Sequence, residues 1–401
     1  MKKLLQTFLA SSLFAFGLSA NNVINVVKVP GDVSNLMPSS KAWLSASFDE
    51  LTLYPQTTIK LFDKVANEMN ANNRAKKVKI KALYDGKNIS FLLKWKDETK
   101  SVQKADSSTV YGDGFAFQFA QNYSDVKKLP YIGMGSEGRA VIIHLAKATE
   151  GFYEPNGNKD VFHQVNPSNQ NLFGDDLKAY NDAIAKIKEV QYQRNFISEG
   201  FRSMTQMRDE DAKIHMYMSY DNGYWSATLS QPLKTEYLNL DGGAFPVALA
   251  IWDGEKKNRD GLKLLSSWIP FKLIGKSGGD EVVNTLSTKP AGDVKNGEKL
   301  ALENCVACHR YNKQVMASEF MAPNLSNIGG YATKEYLKES IEQPSAVVVP
   351  GYNKKAHPND AWYTLDENGK RVSTMPPYDW MDEKSKDDLV AFLATLKEGE
   401  E

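Results

Sequence analysis

One stretch decides the fold of the N-terminal part of the chain: VKIKALY over residues 78–84, then Asp85-Gly86, then the apolar run from Ile89 to Trp95. Its first segment alternates apolar and polar side chains, which is the pattern of a strand with one buried face. An Asp-Gly pair between two such runs is typical of the tight turn of a β-hairpin. We therefore expect a β-hairpin here.

Similar strand signals continue along the chain. A second hairpin is predicted where Asn222-Gly223 joins the runs Ile214–Met218 and Tyr224–Leu229. Many short strands separated by turn residues favour an antiparallel sandwich, so we expect residues 21–275 to form an all-β sandwich. The segment 175–193 has helix-forming composition and predicts a helical insertion between strands. The other strand candidates are Gly114–Phe119, Arg139–Ala146 and Phe245–Trp252.

Residues 1–20 have the features of a secretory signal peptide. Two lysines precede an apolar stretch that ends near Gly17, and Leu18-Ser19-Ala20 resembles a small-residue cleavage site. We expect cleavage after Ala20, export to the periplasm and no membrane span in the mature chain; the alternative is an uncleaved anchor. Basic and acidic residues are equal at 49 each, which argues against a nucleic-acid partner recognised through net charge.

The chain changes character after residue 275. Residues 276–292 mix Gly, Ser, Thr and Pro with little periodicity and predict a linker. The stretch from Asp293 to Asn304 predicts a helix, and so does Ser385 to Lys397, whose apolar residues recur at helical spacing. We therefore expect residues 293–401 to form a small all-α domain.

The two cysteines of the chain, Cys305 and Cys308, stand in a C-x-x-C-H motif with His309. This motif is the attachment signature of c-type haem. Thiols at this spacing can reach the two vinyl groups on one porphyrin edge, and the adjacent histidine can bind the iron. The alternatives are a disulfide in an exported chain and a thioredoxin-like pair, which belongs in a βαβ setting. No such setting is predicted here, so we expect one covalent haem.

The helix with Gly297, the CVACH motif, the loop Pro323-Asn324-Leu325 and the segment Thr374-Met375-Pro376-Pro377 together resemble class I cytochromes c, over roughly residues 290–401. In that family two terminal helices cross at a glycine, which implies a contact between Gly297 and Phe392. Met375 is expected to be the sixth iron ligand, since a thioether suits haem iron and raises its potential. Its competitors are Met316, Met321 and His357.

Short motifs follow one another along residues 25–275. They are Ala82–Gly86, Leu93–Asp97, Gly112–Phe119, Pro130–Gly135, Ala250–Gly254 and Asn258–Lys263, with Trp268. Their order and spacing resemble the haem-b-binding γ subunit of ethylbenzene dehydrogenase and its relatives dimethylsulfide dehydrogenase, selenate reductase and chlorate reductase. In that family a β-sandwich holds one b-type haem through a methionine and a lysine.

This resemblance implies that Met134 and Lys263 bind the iron of a haem b. Met134 lies in PYIGMG and Lys263 follows an N-x-x-G type of turn; without the resemblance each residue would be taken as structural. His144, on a predicted strand ten residues after Met134, is the alternative ligand. The chain departs from the family at Gln231, where an arginine is usual, in its helical insertion and in its fused cytochrome c domain.

The two resemblances together imply a periplasmic electron-transfer protein with one haem c and one haem b. They imply as partners a molybdopterin catalytic subunit of the DMSO reductase family, its iron–sulfur subunit, and a soluble or membrane-bound electron carrier. We expect the chain to serve that oxidoreductase rather than catalyse a substrate reaction itself. The alternative is a cytochrome c with one haem, fused to a sandwich that binds carbohydrate or another ligand.

Overall fold

The computed structural model describes residues 23–59, 63–71, 73–104, 110–150, 192–207, 213–312, 321–351 and 361–397. The predicted signal peptide lies outside these ranges. So does the predicted helical insertion, except for its last two residues, which begin a strand. Among the described residues, no helix is both long enough and apolar enough to cross a membrane.

The described residues form strands β1 to β17 and helices α1 to α6. The strands are β1 Ile24–Lys28, β2 Asp49–Pro55, β3 Lys76–Tyr84, β4 Asn88–Lys96, β5 Gln103–Lys104, β6 Gly114–Ala120, β7 Val141–Lys147, β8 Thr149–Glu150, β9 Tyr192–Ser198, β10 Thr205–Gln206, β11 His215–Asp221, β12 Tyr224–Pro232, β13 Ala244–Trp252, β14 Leu264–Leu265, β15 Ile269–Leu273, β16 Tyr363–Leu365 and β17 Arg371–Ser373. The helices are α1 Lys64–Ala71, α2 Asp280–Ser287, α3 Val294–Asn304, α4 Ile328–Tyr331, α5 Lys334–Glu342 and α6 Glu383–Leu393. Short 3₁₀ helices cover Lys41–Ser45, Val126–Lys128 and Pro344–Ala346.

The N-terminal strands form two packed layers. Hydrogen-bonded neighbours follow the order β10-β9-β7-β6-β13-β14-β2-β3-β4-β12-β11, and β1 and β15 add a second connection between β3 and β13. The layers face each other through aromatic rings, since Phe91 of β4 lies 4.9 Å from Phe117 of β6, centroid to centroid. Pairing is antiparallel except between β1 and its two neighbours and between β5 and β8. The predicted all-β sandwich is confirmed.

Both predicted hairpins form. Strands β3 and β4 pair antiparallel, and the Asp85 carboxylate accepts two backbone N–H groups of the turn at 2.7 Å each. Gly86 in this turn has a φ of 99°. Strands β11 and β12 pair across Asn222 and Gly223, which both have positive φ. Residues that tolerate left-handed backbone thus stand where the two turns require it.

The central strands β6 and β13 are buried on both faces. Their odd-numbered residues, among them Phe117 and Leu249, point into the core between the layers. Their even-numbered residues, among them Ala116 and Ala250, belong to a second apolar cluster, which we call the outer cluster. The outer cluster also contains side chains of α3, α5 and α6. The small C-terminal domain therefore covers the outer face of this layer.

Helices α3 and α6 cross closely at Gly297. A Cβ atom on Gly297 would lie 1.9 Å from the carbonyl oxygen of Asp388 and 2.8 Å from Cβ of Phe392. The predicted contact between Gly297 and Phe392 is confirmed. Helix α3 begins where the Asp293 carboxylate accepts backbone N–H groups of the first turn, as is typical of an N-cap.

The structure contains a helix in the predicted linker and a β-hairpin in the predicted all-α domain, neither of which the sequence predicted. Helix α2 lies within residues 276–292, and its Val282 is buried in the outer cluster. Strands β16 and β17 form a hairpin in the domain expected to be all-α, around a turn where the Asp366 carboxylate accepts two backbone N–H groups at 2.9 and 2.8 Å. Segments this short contain too few residues for their periodicity to be recognised.

Polar groups also join the two domains. The Tyr331 hydroxyl lies 3.3 Å from the hydroxyl of Thr57 and 3.2 Å from that of Thr58. The Asn327 side chain donates a hydrogen bond to the carbonyl of Pro55 at 3.1 Å. These contacts hold the end of β2 against helix α4.

Gly297→Ala should destabilise the C-terminal domain, because the added methyl group collides with the backbone of α6. Overpacking of this kind costs about 1–3 kcal/mol, so we expect a lower urea midpoint for the full-length chain, followed by circular dichroism. Gly242→Ala is the matched control, since a Cβ atom there would meet nothing within 4 Å. Equal midpoints for the two variants would contradict the close crossing.

Candidate haem sites

One helical turn brings the CVACH residues together. Cys305 ends helix α3, and its N–H donates to the Ala301 carbonyl at 2.8 Å. The N–H groups of Cys308 and His309 both donate to the Cys305 carbonyl, at 3.1 and 2.8 Å. Cys305 is half-buried, Cys308 is exposed, and both are free cysteines. Both sulfurs are therefore available for the thioether bonds that attach a haem.

His309 is held in the orientation that an iron ligand needs. Its Nδ1 lies 2.8 Å from the Pro323 carbonyl oxygen. Nδ1 therefore carries the proton and Nε2 is left as the lone-pair donor. Such a partner on the second nitrogen fixes the ring of a ligating histidine. Burial lowers the pKa of His309, against the opposing effect of this hydrogen bond, so the imidazole is in the neutral form that binds metals.

The loop that carries Met375 is tied to the end of α3. Met375 is half-buried, just after β17, and its N–H donates to the Ser373 hydroxyl at 3.2 Å. Three residues further on, the Tyr378 hydroxyl donates to the Asn304 carbonyl at 2.9 Å. Asn304 directly precedes Cys305, so the loop lies beside the haem-attachment turn.

The competitors of Met375 are placed less favourably or not described. Met321 is half-buried and stands two residues before Pro323, the residue whose carbonyl holds His309. That segment positions His309, and in a bound haem Met321 would be better placed to support this histidine than to act as a second iron ligand. Met316 and His357 lie outside the described residues.

Met134 and Lys263, the expected haem-b ligands, both lie at the outer cluster. Met134 is half-buried and packs against this cluster. Lys263 is buried, and its ammonium nitrogen lies 5.3 Å from the centre of the Trp252 ring, itself a member of the cluster. The structure thus brings the two residues to one surface of the sandwich.

His144 lies on the other face of the same layer. Its Nδ1 is 2.7 Å from Oδ1 of Asn195, and its ring is 5.6 Å from that of Phe119 in the core between the layers. Burial lowers the pKa of His144 to about 4. The sheet therefore separates His144 from Met134 and Lys263.

Two poorly solvated ammonium groups flank the Trp252 ring. Lys147 reaches the ring across Gly114, with its nitrogen 5.5 Å from the ring centre. Within the described ranges neither Lys147 nor Lys263 has a hydrogen bond or a carboxylate ion pair through its ammonium group. Burial lowers the pKa of each to about 8, although the charge of Asp260 acts in the opposite direction. Lys263 is therefore closer than a solvated lysine to the neutral amine that can bind iron.

Buried polar groups without partners lie next to both expected ligands. In the part of the chain that the structure describes, both polar atoms of the Gln56 side chain are buried and unpaired, as is the Ser136 hydroxyl. The backbone N–H of Gln56 donates to the Lys263 carbonyl at 2.9 Å, and Ser136 follows Met134 by two residues. Since buried polar groups normally have partners, these residues fit a site for a group with a polar edge, as a haem b has.

Hydrogen bonds connect the segment that holds Lys263 with the segment that holds His309. The backbone N–H of Gln56 donates to the Lys263 carbonyl, and the hydroxyl of the next residue, Thr57, donates to the Asn324 carbonyl at 3.1 Å. Asn324 directly follows the proline whose carbonyl binds the ring of His309. The two candidate haem sites are therefore linked by hydrogen bonds through Gln56, Thr57 and Asn324.

A third polar cluster lies at the ends of β4, β6 and β13. The carboxylates of Asp97, Asp113 and Asp253 come within 4.8 Å of one another. Lys76 pairs with Asp97 at 3.4 Å and with Asp253 at 3.5 Å. Asp113 accepts a hydrogen bond from the Trp225 indole, and burial raises its pKa to about 7. These partners belong to the sandwich itself, so the cluster is explained by a structural role in which it connects the ends of the strands.

Sequence comparisons agree with this division of the chain. The family model described as cytochrome c matches residues 294–397. The model described as ethylbenzene dehydrogenase matches residues 40–264, more than half of the chain. Fold and site together define a c-type cytochrome joined to a β-sandwich, and the cytochrome domain implies a covalent haem c. The chain belongs to the ethylbenzene dehydrogenase family, carries a cytochrome c domain and is similar over part of its length to a chlorate reductase γ subunit.

Two curated relatives are similar to parts of the chain. The γ subunit of chlorate reductase from Ideonella dechloratans is 36% identical over 76 residues, which are 18% of this chain and 31% of that protein. The subunit FixP of a cbb3-type cytochrome c oxidase from Bradyrhizobium diazoefficiens is 30% identical over 162 residues, 37% of this chain and 49% of that protein. The chain thus spans about half or less of the length of these relatives.

Two solved structures are similar to the chain only at a low level. They are complexes of a family 9 carbohydrate-binding module from Caldicellulosiruptor kristjanssonii with cellotriose and with glucose. They are 7% and 8% identical, with TM-scores of 0.31 and 0.29, and the match covers 64% of this chain and 95% and 97% of theirs. A likeness of this size identifies neither a ligand nor a function.

The sequence did not single out Lys147 or Gln56. Lys147 reaches Trp252 only because both residues pair with Gly114, and strand pairing is not encoded locally. The alternation of β7 could have placed Lys147 on the outer face together with Val141, because side chains four or six residues apart on a strand share a face. Gln56 carries no comparable signal.

Met375→Ala should leave the haem attached, because both thioether bonds remain, but should change its iron. Loss of the thioether should make the iron high-spin or open it to water, and should lower its potential. The optical spectrum and a potentiometric titration of the full-length protein measure both effects. Met321→Ala is the matched control and should change neither; the opposite pattern would transfer the role of ligand to Met321.

Proposed function

We propose that this protein is a two-haem electron carrier of the periplasm. Its first haem, of c type, is held by Cys305 and Cys308, with His309 and Met375 as the iron ligands. Support comes from the turn that brings the CVACH residues together and from the hydrogen bond that fixes the ring of His309. The expected signal peptide supports export, and haem c itself supplies one-electron chemistry when bound.

The second haem, of b type, has Met134 and Lys263 as iron ligands in this proposal. The observation that carries it is the buried Lys263 ammonium, which makes no hydrogen bond or close ion pair within the described residues and lies at the same apolar cluster as Met134. A free lysine has a pKa of about 10.4, whereas burial lowers that of Lys263 to about 8. Met134 has no proton to lose. The two side chains together favour a metal over a proton at this position.

Electrons pass between the two sites inside the chain in this proposal. The backbone that holds Lys263 and the backbone that holds His309 are joined through Gln56, Thr57 and Asn324. These residues are fixed by hydrogen bonds, so the chain holds both sites in one geometry and no diffusional step separates them. The role of the protein is to position the two groups, exclude water from them and set their potentials.

The external partners follow from the same proposal. The likeness to the chlorate reductase γ subunit supports a molybdopterin enzyme and its iron–sulfur subunit as the partners at the sandwich. Cys308 is exposed, and so is Trp380 near Met375, at 68% of its surface. An edge of the haem-c site therefore faces solvent, where a soluble or membrane-bound carrier can approach.

The purified protein should contain one c-type and one b-type haem. A reduced pyridine-haemochrome spectrum distinguishes the two types, and acid–acetone extraction should remove about half of the haem, because CVACH is the one C-x-x-C-H motif in the sequence. Retention of all haem with the protein would refute the haem-b site. It would favour a cytochrome c with one haem fused to a ligand-binding sandwich.

Single substitutions identify the ligands of the haem b. Met134→Ala and Lys263→Ala should each abolish or convert its low-spin spectrum, because each removes an axial ligand. His144→Ala should retain it, since His144 lies on the opposite face of the layer. Lys147→Ala is the matched control, a second lysine beside the same Trp252 ring. A low-spin spectrum that survives Lys263→Ala but not Lys147→Ala would assign the ligand to Lys147.

A further inference from the structure

Met134 has a strained backbone. Its φ is 79°, in the left-handed region that residues with a Cβ atom rarely adopt. Such a conformation is strained and persists only where the surrounding structure holds it. The contacts that hold Met134 therefore decide whether its side chain points in a fixed direction.

The cytochrome c domain packs directly on one of these contacts. The Met134 carbonyl accepts a hydrogen bond from the N–H of Gly200 at 2.8 Å. Gly200 in turn lies against the C-terminal domain: a Cβ atom on it would be 2.9 Å from Val349 and 3.2 Å from Pro350. The group that holds the Met134 backbone is thus enclosed between the sandwich and the cytochrome c domain.

Two further contacts hold the loop just after Met134. The N–H of Glu137 donates to the Val348 carbonyl at 3.2 Å. The Arg139 guanidinium binds the Glu339 carboxylate with both nitrogens at 2.7 Å, and the two side chains are only 19% and 13% exposed. Bidentate pairs of this kind fix orientation as well as distance. The loop from residue 134 to 139 is thereby attached to helix α5 and to the segment that follows it.

We propose that docking of the cytochrome c domain positions Met134 as a haem-b ligand, with Glu339 as the positioning residue. This inference rests on the proposed haem-b site and adds that the site is incomplete without the C-terminal domain. The haem-c domain is then a structural part of the haem-b site. Glu339 touches no haem ligand itself and acts through Arg139 and the loop.

Binding of haem b and docking of the domain are therefore coupled, and the coupling is reciprocal. Coupling free energies between sites typically change affinity by about 5–150-fold. We expect loss of the Glu339 carboxylate to weaken haem-b binding about tenfold, within that range. The haem-c site should be unaffected, because Glu339 faces the sandwich and not the CVACH turn.

Glu339→Gln in the full-length protein tests the inference. Titration of the haem-b-depleted protein with haemin measures binding, and the low-spin optical spectrum reports the Met134 bond. Glu342→Gln is the matched control: it is the same substitution in the same helix, but Glu342 pairs with Lys386 inside the cytochrome domain at 3.3 Å. We expect about tenfold weaker binding and a partly high-spin haem b for Glu339→Gln only.

The charge-swapped pair, Arg139→Glu with Glu339→Arg, should restore binding toward that of the wild type. If Glu339→Gln also loses its haem-c signal because it misfolds, this double variant tests the ion pair instead, and a failure to restore binding would overturn the inference. Wild-type binding and an unaltered low-spin spectrum in Glu339→Gln would overturn the positioning role alone. A wild-type protein that binds no haem b would instead overturn the proposed function, so the two failures are distinguishable.

Discussion

Burial of β6 and β13 on both faces is the constraint on which the rest of the structure depends. Apolar surface left in water costs about 25 cal/mol per Å², so both faces of these strands must be covered. The facing layer covers one, and the cytochrome c domain covers much of the other. Ala116 and Ala250, which pair across the two strands, have small side chains that project little from the outer face of the sheet. The same surface therefore serves as a domain interface and as one wall of the proposed haem-b site.

The sequence predicted those features whose signals are local. The Asp85-Gly86 turn and the alternating runs on either side of it specified the first hairpin, because turn chemistry and a period of two lie within one short window. The CVACH motif placed both cysteines and the histidine on one helical turn for the same reason. The crossing at Gly297 is a tertiary contact, and it was expected from the resemblance to class I cytochromes c rather than from a local pattern.

Features that depend on distant parts of the chain could not be predicted. Helix α2 is short, and it is stabilised by burial of Val282 against the sandwich rather than by its own periodicity. The pair of Arg139 with Glu339 joins residues 200 positions apart. Lys147 becomes a neighbour of Trp252 only after three strands have paired. In each case the deciding interaction is tertiary, and no pattern within a single segment encodes it.

Helix α2 packs against the sandwich and so shortens the connection between the two domains to a few free residues. Two domains joined by a short connection meet at an effective concentration that the length of the connection sets, whatever the concentration of the protein. In the proposed function, electron transfer between the two domains is therefore a first-order process, insensitive to dilution and little affected by salt. Exchange with any separate carrier is second-order and responds to both. The covalent connection thus divides the proposed electron route into steps that obey different rate laws.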